Sequence, residues 1–263
     1  MKLPIFQIDA FAEKVFSGNP AAVCPLDAWL SDEHMQAIAA ENNLAETAFF
    51  VSNGPDFDLR WFTPKFEIDL CGHATLASAF VLYAHLGYQG PSITFHTKSG
   101  PLKVTQIHDQ LSMDFPSRPP EQAFAPDDLQ EGLNISPLYV GKSRDYLVRV
   151  GSEAEVRACA PVMERIARLN AVGVIVTAEG EAEGVDFVSR FFAPQAGVPE
   201  DPVTGSAHST LIPFWADILG KNRMVAHQIS ERGGVLHCGF NQERVTIAGK
   251  AVTFLKGEIM IDG

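Results

Sequence analysis

Two groups of polar side chains stand where an apolar segment begins, and both are placed to act on a small molecule. Each group surrounds a glycine, and the members are Asp69, Cys71 and His73 around Gly72, and Asp201, Thr204, Ser206 and His208 around Gly205. A helix that begins at such a glycine offers unpaired N–H groups and the positive end of its dipole. Two such helix starts, facing each other between two lobes, would hold a small anion such as a carboxylate. The alternative is that the glycines only permit tight turns.

Glu46 is the candidate general base. It lies between a predicted helix and a predicted apolar strand, and a carboxylate that enters an apolar wall suits acid/base work. A solvent-exposed glutamate at a helix end is the alternative reading of the same residues. His73 is a candidate catalyst for a related reason. An imidazole at a helix start is often only a cap. The chain contains a second copy of this motif, however, and that copy has Ser206 at the position of His73. The two copies therefore differ where a site would need two different groups.

The chain repeats itself, and the repeat positions these residues. Residues 60–64 read RWFTP and residues 190–194 read RFFAP; each copy leads through a short loop to an aspartate and a glycine that opens an apolar run. Three pairs of glycines are each 133 positions apart, and these pairs are Gly72 and Gly205, Gly87 and Gly220, and Gly100 and Gly233. The constant offset predicts two copies of one supersecondary unit, and hence a two-lobed protein.

Each copy is predicted to be a curved sheet around one buried helix. Residues 3–11, 47–51, 57–62 and 92–97 are rich in β-branched and aromatic residues and predict strands. Residues 31–42 predict a helix with Ser31 as its N-cap and Met35, Ile38 and Ala39 on one face. Residues 74–86 and 207–219 predict the two buried helices, which end at left-handed glycines, and Pro213 is expected to kink the second or to lie near its first turn. The predicted lobes are residues 1–117 and 118–263, divided near the proline-rich segment 116–120, with the last strand free to return to the first lobe.

Composition excludes several classes of function. The chain has 263 residues, 46% of them apolar, and a formal net charge of −12, which argues against nucleic acid and anionic membranes as partners. No stretch reaches the roughly 18 apolar residues of a membrane span. Asp9 interrupts the N-terminal apolar run before a signal-peptide core could form. The four cysteines are scattered without C-x-x-C spacing, which favours a reduced, cytoplasmic protein.

Cofactor motifs are missing from the sequence. There is neither a G-x-G-x-x-G pattern nor a P-loop, so nucleotide binding has no support. Cys71 and His73 alone do not make a metal site, and we expect no metal.

Six segments resemble signatures of the PhzF family of phenazine-biosynthesis isomerases. They occur in order along nearly the whole chain: FSGNPAAV at 16–23, NLAETAF at 43–49, DLCGHAT at 69–75, EDPVTGSAH at 200–208, QISERGG at 228–234 and RVTIAG at 244–249. The resemblance implies an α+β, diaminopimelate-epimerase-like fold with two pseudo-symmetric lobes and a site between them. The match is weak over residues 116–171, so substrate specificity cannot be carried over from that region.

The resemblance also implies roles for individual residues. Glu46 would be the catalytic acid/base, and His73, Asp201 and Ser206 match the other site positions of the family. The backbone at Gly72 and Gly205 would complete the pocket. We place Asn19 and Cys71 among the substrate-binding residues. The best-known member moves one proton along the conjugated ring of a dihydro-hydroxyanthranilate without metal or coenzyme. We therefore expect a small carboxylate substrate, no cofactor and a homodimer.

Two other readings remain open at this point. Related folds include racemases with two thiols; Cys71 stands where the first thiol would be, but its counterpart is Thr204, whose hydroxyl is far too weak an acid to be a second base. A dehydratase or epimerase of a small amino or imino acid that uses Cys71 alone stays possible. The chain could also be a non-catalytic protein that binds small anions, although the intact Glu46 and His73 argue against this.

Overall fold

Residues 1–261, which the computed structural model describes, form 18 strands and six helices. The elements up to residue 116 are β1 (Lys2–Ala10), β2 (Asn19–Leu26), α1 (Asp32–Asn42), β3 (Glu46–Asn53), β4 (Asp56–Phe62), β5 (Glu67–Ile68), α2 (Gly72–His85), β6 (Ser92–Thr97), β7 (Gly100–Ile107) and β8 (Gln110–Pro116). The later elements are β9 (Glu121–Gln122), α3 (Asp127–Leu133), β10 (Tyr139–Lys142), β11 (Tyr146–Arg149), α4 (Glu153–Ala158), α5 (Met163–Ile166), β12 (Val174–Glu179), β13 (Phe187–Ala193), β14 (Val198–Asp201), α6 (Gly205–Leu219), β15 (Arg223–Gln228), β16 (Gly234–Asn241), β17 (Arg244–Gly249) and β18 (Ala251–Met260).

The chain divides into two compact units. The first consists of Met1–Asp114 and the segment from Ala248 onward, and the second is Phe115–Ile247. The sequence had placed this boundary at residues 117 and 118. Strand β18 pairs with β1 along its whole length in antiparallel register, which is why the end of the chain belongs to the first unit. Among the described residues, no helix is both long and apolar enough to cross a membrane.

Both units use the same pattern of strand pairing. In the first unit, β2 and β3 are parallel, β3 and β4 antiparallel, β4 and β6 parallel, and β6 and β7 antiparallel. In the second unit, the same sequence of parallel and antiparallel pairs runs through β11, β12, β13, β15 and β16. The internal repeat predicted from the glycine spacing is therefore confirmed as a repeated topology.

The repeated arginine has the same role in each unit. Arg60 of β4 donates from Nε and Nη2 to the carboxylate of Glu67 in β5, over 2.7 and 2.9 Å. Arg190 of β13 makes the equivalent fork to Glu200 in β14, over 2.7 and 2.8 Å. Each guanidinium also lies over the phenylalanine two positions further along its strand, at 5.1 and 4.9 Å from the ring centre. The motif thus fixes the short strand that leads to each central helix.

Helix α1 packs on the first unit as predicted. The side chain of Ser31 accepts a hydrogen bond from the backbone N–H of His34 and caps the helix, and the face formed by Met35, Ile38 and Ala39 is buried. These residues belong to one apolar cluster with side chains of β2 and β3. A second cluster in the other unit packs α3, α4 and α5 against β11, β12 and β13.

The two central helices begin at the glycines singled out by the sequence. Helices α2 and α6 start at Gly72 and Gly205, two residues earlier than the predicted apolar segments, and most of their side chains are buried. Gly87 and Gly220 follow them with φ of 71° and 62°, the left-handed conformation expected at a helix end.

Pro213 lies in the third turn of α6, so the expected position near the first turn was wrong. Proline has no N–H to donate to the carbonyl four residues earlier, which here belongs to Ser209. The backbone N–H of Arg118 donates to that carbonyl instead, over 2.9 Å. A segment outside the helix therefore satisfies the acceptor that Pro213 leaves without a partner.

Candidate functional site

A tight turn between β1 and β2 places Asn19. Gly18 has φ of 70°, and a Cβ at this position would lie 2.2 Å from the carbonyl oxygen of Ala10. Only glycine fits, because any side chain would collide with the backbone of β1. Asn19 then opens β2 with its side chain fully buried.

Glu46 is the first residue of β3, and the end of α1 directs it there. Asn43 caps α1 in the left-handed conformation, with φ of 48°, and turns the chain into the strand. Glu46 pairs with Ala21 of the parallel strand β2, two residues beyond Asn19. Its side chain is only 13% exposed. Glu46 is therefore not a solvent-exposed glutamate at the end of a helix, which was the alternative reading of the local sequence.

His73 is the centre of a four-residue cluster in the first unit. Its Nε2 lies 3.0 Å from Oε2 of Glu46, and neither atom has an aligned hydrogen bond to another described group. Its Nδ1 lies 3.3 Å from the side-chain nitrogen of Asn19 and 3.5 Å from Sγ of Cys71. When the ring carries one proton, the amide donates to Nδ1 and the ring proton faces Glu46. The cluster thus places a carboxylate beside an imidazole nitrogen, at contact distance but without the alignment of a hydrogen bond.

The thiol of Cys71 is a poor base in this setting. Burial raises its pKa to about 11, and the nearby charge of Glu46 acts in the same direction. At neutral pH the group is therefore a neutral thiol, which is a weak hydrogen-bond donor and not a nucleophile. Its backbone carbonyl accepts hydrogen bonds from both the N–H and the hydroxyl of Thr75.

The pKa of His73 is raised well above its ordinary value. Burial lowers the pKa, but the contacts with Cys71 and Glu46 raise it more. Glu46 is the partner that matters at neutral pH, because the thiol is then uncharged. A charged or proton-sharing imidazole is accordingly stabilised beside the carboxylate.

The cluster does not have the arrangement of a metal site. The ligand atoms of Glu46, Cys71 and His73 lie within 4.8 Å of one another. The thiol, however, approaches one nitrogen of the imidazole and the carboxylate approaches the other. A single ion binds one nitrogen of a histidine ring, so it cannot take all three ligands without a rotation of that ring.

The start of α6 in the second unit is fixed by Gln228, which the sequence analysis did not single out as a site residue. The side chain of Gln228 accepts from the N–H of Thr204 over 2.8 Å and donates to the carbonyl of Asp201 over 2.7 Å. The hydroxyl of Thr204 donates to Oδ2 of Asp201 over 2.5 Å. Thr204 is the counterpart of Cys71 in the repeat. Its side chain is hydrogen-bonded to an aspartate and does not cap the helix.

Arg144 is a second residue that sequence reasoning missed. It lies in the turn between β10 and β11 and donates to Oγ of Ser206 over 3.0 Å. It also donates to the buried carboxylate of Asp145 over 2.7 Å, and burial raises the pKa of that carboxyl despite the arginine. A partly exposed guanidinium is thus added to the positive end of α6.

The predicted site residues fall into two groups. Glu46, His73, Asn19, Cys71 and Gly72 come together in the first unit. The other three, Asp201, Gly205 and Ser206, lie at the start of α6 in the second unit. Neither central helix has a side-chain cap at its start, which leaves backbone N–H groups for a ligand. That both groups serve one site stays a prediction.

Fold and site together define a class of protein: an α+β protein of the diaminopimelate-epimerase-like type with a carboxylate–imidazole pair at the start of a buried helix. A probable proline racemase from Agrobacterium radiobacter shares this fold, with a TM-score of 0.64 at 12% identity over 99% of this chain and 93% of that one. The chain belongs to the PhzF family, because residues 8–257 match the family model described as phenazine biosynthesis-like protein.

Close relatives agree with this assignment. An uncharacterised isomerase of Pseudomonas aeruginosa is 53% identical over 259 residues, which cover 98% of this chain and 99% of the relative. The crystal structure of a PhzF-family protein from Enterococcus faecalis has a TM-score of 0.97 at 45% identity, covering 99% of this chain and all of the other. Two further relatives, at 50% and 45% identity, are likewise named isomerases.

Proposed function

We propose that this protein is a cofactor-independent isomerase that moves a proton on a small carboxylate-bearing substrate, with Glu46 as the single acid/base. The observation that carries the proposal is the contact between Glu46 Oε2 and His73 Nε2, 3.0 Å apart and largely shielded from solvent. Such a pair can accept a proton from carbon and return one, because the imidazole beside Glu46 stabilises its carboxylate before and after each transfer.

The proposed reaction has two steps. Glu46 takes a proton from a carbon atom conjugated with the substrate carboxylate, and the electron pair of the broken C–H bond shifts into the conjugated system. The protonated Glu46 then gives a proton to a second carbon of that system, which moves the double bond. His73 stabilises the carboxylate of Glu46 before the first step and after the second. Both transfers use the same face of the substrate, as a single base requires.

The state of Cys71 favours this reaction over thiol-based epimerisation. A two-base racemase needs an ionisable group on each face of the substrate carbon. Here the pKa of the Cys71 thiol is about 11, and its counterpart Thr204 is a hydroxyl hydrogen-bonded to Asp201. A Cys71-dependent epimerase or dehydratase is the second candidate, and a non-catalytic anion-binding protein is the third.

The substrate carboxylate is proposed to bind at the helix starts. The helix starts at Gly72 and at Gly205 have no side-chain cap, and the Ser206 hydroxyl is supported by Arg144, so each offers donors suited to an anion. Asp201 would accept a hydrogen bond from an amino or hydroxyl group of the substrate.

A screen for hydrogen exchange tests the proposal. The protein is incubated in D₂O with small unsaturated carboxylates, beginning with a dihydro-hydroxyanthranilate, and deuterium incorporation is followed by NMR and mass spectrometry. An isomerase incorporates deuterium at the carbon that receives the proton. Saturable binding without any exchange would instead favour the non-catalytic reading. The expectations of a homodimer and a cytoplasmic location remain predictions, which light scattering and cell fractionation can check.

A further inference from the structure

The second unit contains a cavity of about 900 Å³ whose lining residues are none of those proposed for catalysis. Its walls come from the proline-rich segment after β8, from the outward side of α6 and from β10, β11 and β16. The lining includes Tyr139, Phe214 and Phe240 together with Pro119, Pro120 and Pro213. A volume of this size is within the range of small-molecule sites, which are mostly apolar with few polar groups.

Arg149 is the cation in the wall of this cavity, and no described residue neutralises its charge. It is the last residue of β11, opposite Tyr139 in the strand register. Within residues 1–261 its side chain forms neither an ion pair nor a hydrogen bond, and its Nε is shielded from solvent. Its guanidinium stacks over the ring of Trp215 at 5.3 Å, which holds the group in place. Two other partly buried arginines of the described chain, Arg60 and Arg190, are each paired with a glutamate.

A second polar group of the wall also lacks a partner. The hydroxyl of Ser117 is buried and makes no hydrogen bond to any described residue, although its backbone N–H donates to the carbonyl of Glu243. Buried donors without acceptors are uncommon in proteins and destabilising. A serine hydroxyl turns about one dihedral angle, so an acceptor in the cavity can recruit it.

The remaining wall is suited to a flat ring. Tyr139 and Phe214 lie 5.1 Å apart with their planes inclined by 32°, and Phe214 meets Trp215 edge to face. Offset aromatic pairs of this kind extend readily to a third ring. An anion with two oxygens accepts two parallel hydrogen bonds from a guanidinium, which a halide or a neutral amide does not.

We infer that this cavity is a second ligand site, separate from the Glu46 cluster, that binds an aromatic carboxylate through Arg149 and Ser117 and through stacking on Tyr139 and Phe214. The inference does not depend on the proposed isomerase reaction, since it uses no residue of that reaction.

Benzoate is the probe, and the full-length protein labelled with ¹⁵N is titrated with it in TROSY spectra. We expect saturable shifts of the Trp215 indole N–H and of the amides of Tyr139 and Arg149. Benzamide has the same ring without the charge, and we expect it to bind the wild-type protein at least about tenfold more weakly than benzoate does. We expect the same loss when benzoate binds to Arg149→Gln instead of the wild type. Arg149→Lys keeps the charge but loses the planar fork and is expected to be intermediate.

Matched variants keep the test decisive. Asp217→Asn removes the one carboxylate among the described residues that line the cavity and is expected to leave benzoate affinity unchanged or raise it. Should Arg149→Gln not fold, Ser117→Ala is the second variant, with an expected loss of about two- to tenfold. The inference is overturned by non-saturable shifts, by unchanged affinity in the folded Arg149→Gln or Ser117→Ala variant, or by shifts confined to Gly205 and Ser206. Shifts at the same amides on dilution without benzoate would also overturn it, because they would show a contact between copies of the chain.

Discussion

The Nε2 atom of His73 lies 3.0 Å from Oε2 of Glu46, although His73 lies in the first turn of a helix and Glu46 begins a strand. Because the two groups are in direct contact and shielded from solvent, they are expected to act as one unit. Glu46→Gln and His73→Asn should each lower turnover, and the double variant should be hardly slower than Glu46→Gln alone, since groups that act as a unit are not additive. Steady-state rates of the three variants check this. A double variant slower by the product of the single effects would show that the two residues act independently.

The turn at Gly18 is expected to be intolerant of any side chain. Gly18→Ala places a Cβ against the carbonyl of Ala10 and requires a left-handed conformation, so it should cost about 3 kcal/mol of unfolding free energy. Gly54→Ala is the matched control, because Gly54 is also left-handed but has open space around it, and it should cost only about 1 kcal/mol. Urea denaturation measures both. Equal losses would mean that the close approach to Ala10 is relieved by a small shift.

The equivalent ion pairs of the two units are expected to contribute similarly to stability. Glu67→Gln and Glu200→Gln each weaken a forked contact with a partly buried arginine and should each cost about 1–3 kcal/mol. Glu183→Gln, at an exposed position, should change stability by less than about 0.5 kcal/mol. Thermal and urea unfolding provide the comparison. If only one of the two pairs mattered, the repeated motif would not have a repeated role.

His208 makes the protein sensitive to acid. Its Nδ1–H donates to the carbonyl of Thr204, and burial lowers its pKa from 6.5 to about 4. Between these values the unfolded chain binds a proton that the folded chain does not, so stability is fully present above pH 6.5 and falls as the pH drops toward 4. The loss amounts to about 3 kcal/mol.

The variant His208→Asn should show a shallower fall of stability over this range, whatever its stability at pH 7. His34→Asn, at an exposed position, should keep the slope of the wild type. Urea denaturation at several pH values between 4 and 7 gives the slopes. A slope in His208→Asn equal to that of the wild type would assign the acid sensitivity to other groups.

Sequence patterns were sufficient to predict the repeat and the two buried helices, whereas Glu46 was assigned to the same site as His73 only through the resemblance to the PhzF family. Local rules explain this success, since glycine spacing, helix caps and apolar runs are properties of neighbouring residues. Gln228 and Arg144 were not found, because each reaches the start of α6 from a distant strand or turn by a contact that leaves no local signature. Pro213 lies inside α6 as predicted, but its place in the third turn could not be explained from neighbouring residues, since the donor that compensates for it belongs to Arg118.

The central claim is that Glu46, and not Cys71, carries the proton. The direct measurement is the rate of solvent deuterium incorporation into a turned-over carboxylate by Glu46→Gln and by Cys71→Ala, with folding verified by circular dichroism. Glu46→Gln keeps the shape of the side chain and removes the base, so it is predicted to lower the rate by about 10²–10⁴ with little change in ligand affinity. Cys71→Ala is predicted to lower it by much less. Loss of exchange in Cys71→Ala, with near-normal exchange in Glu46→Gln, would contradict the account and assign the chemistry to the thiol.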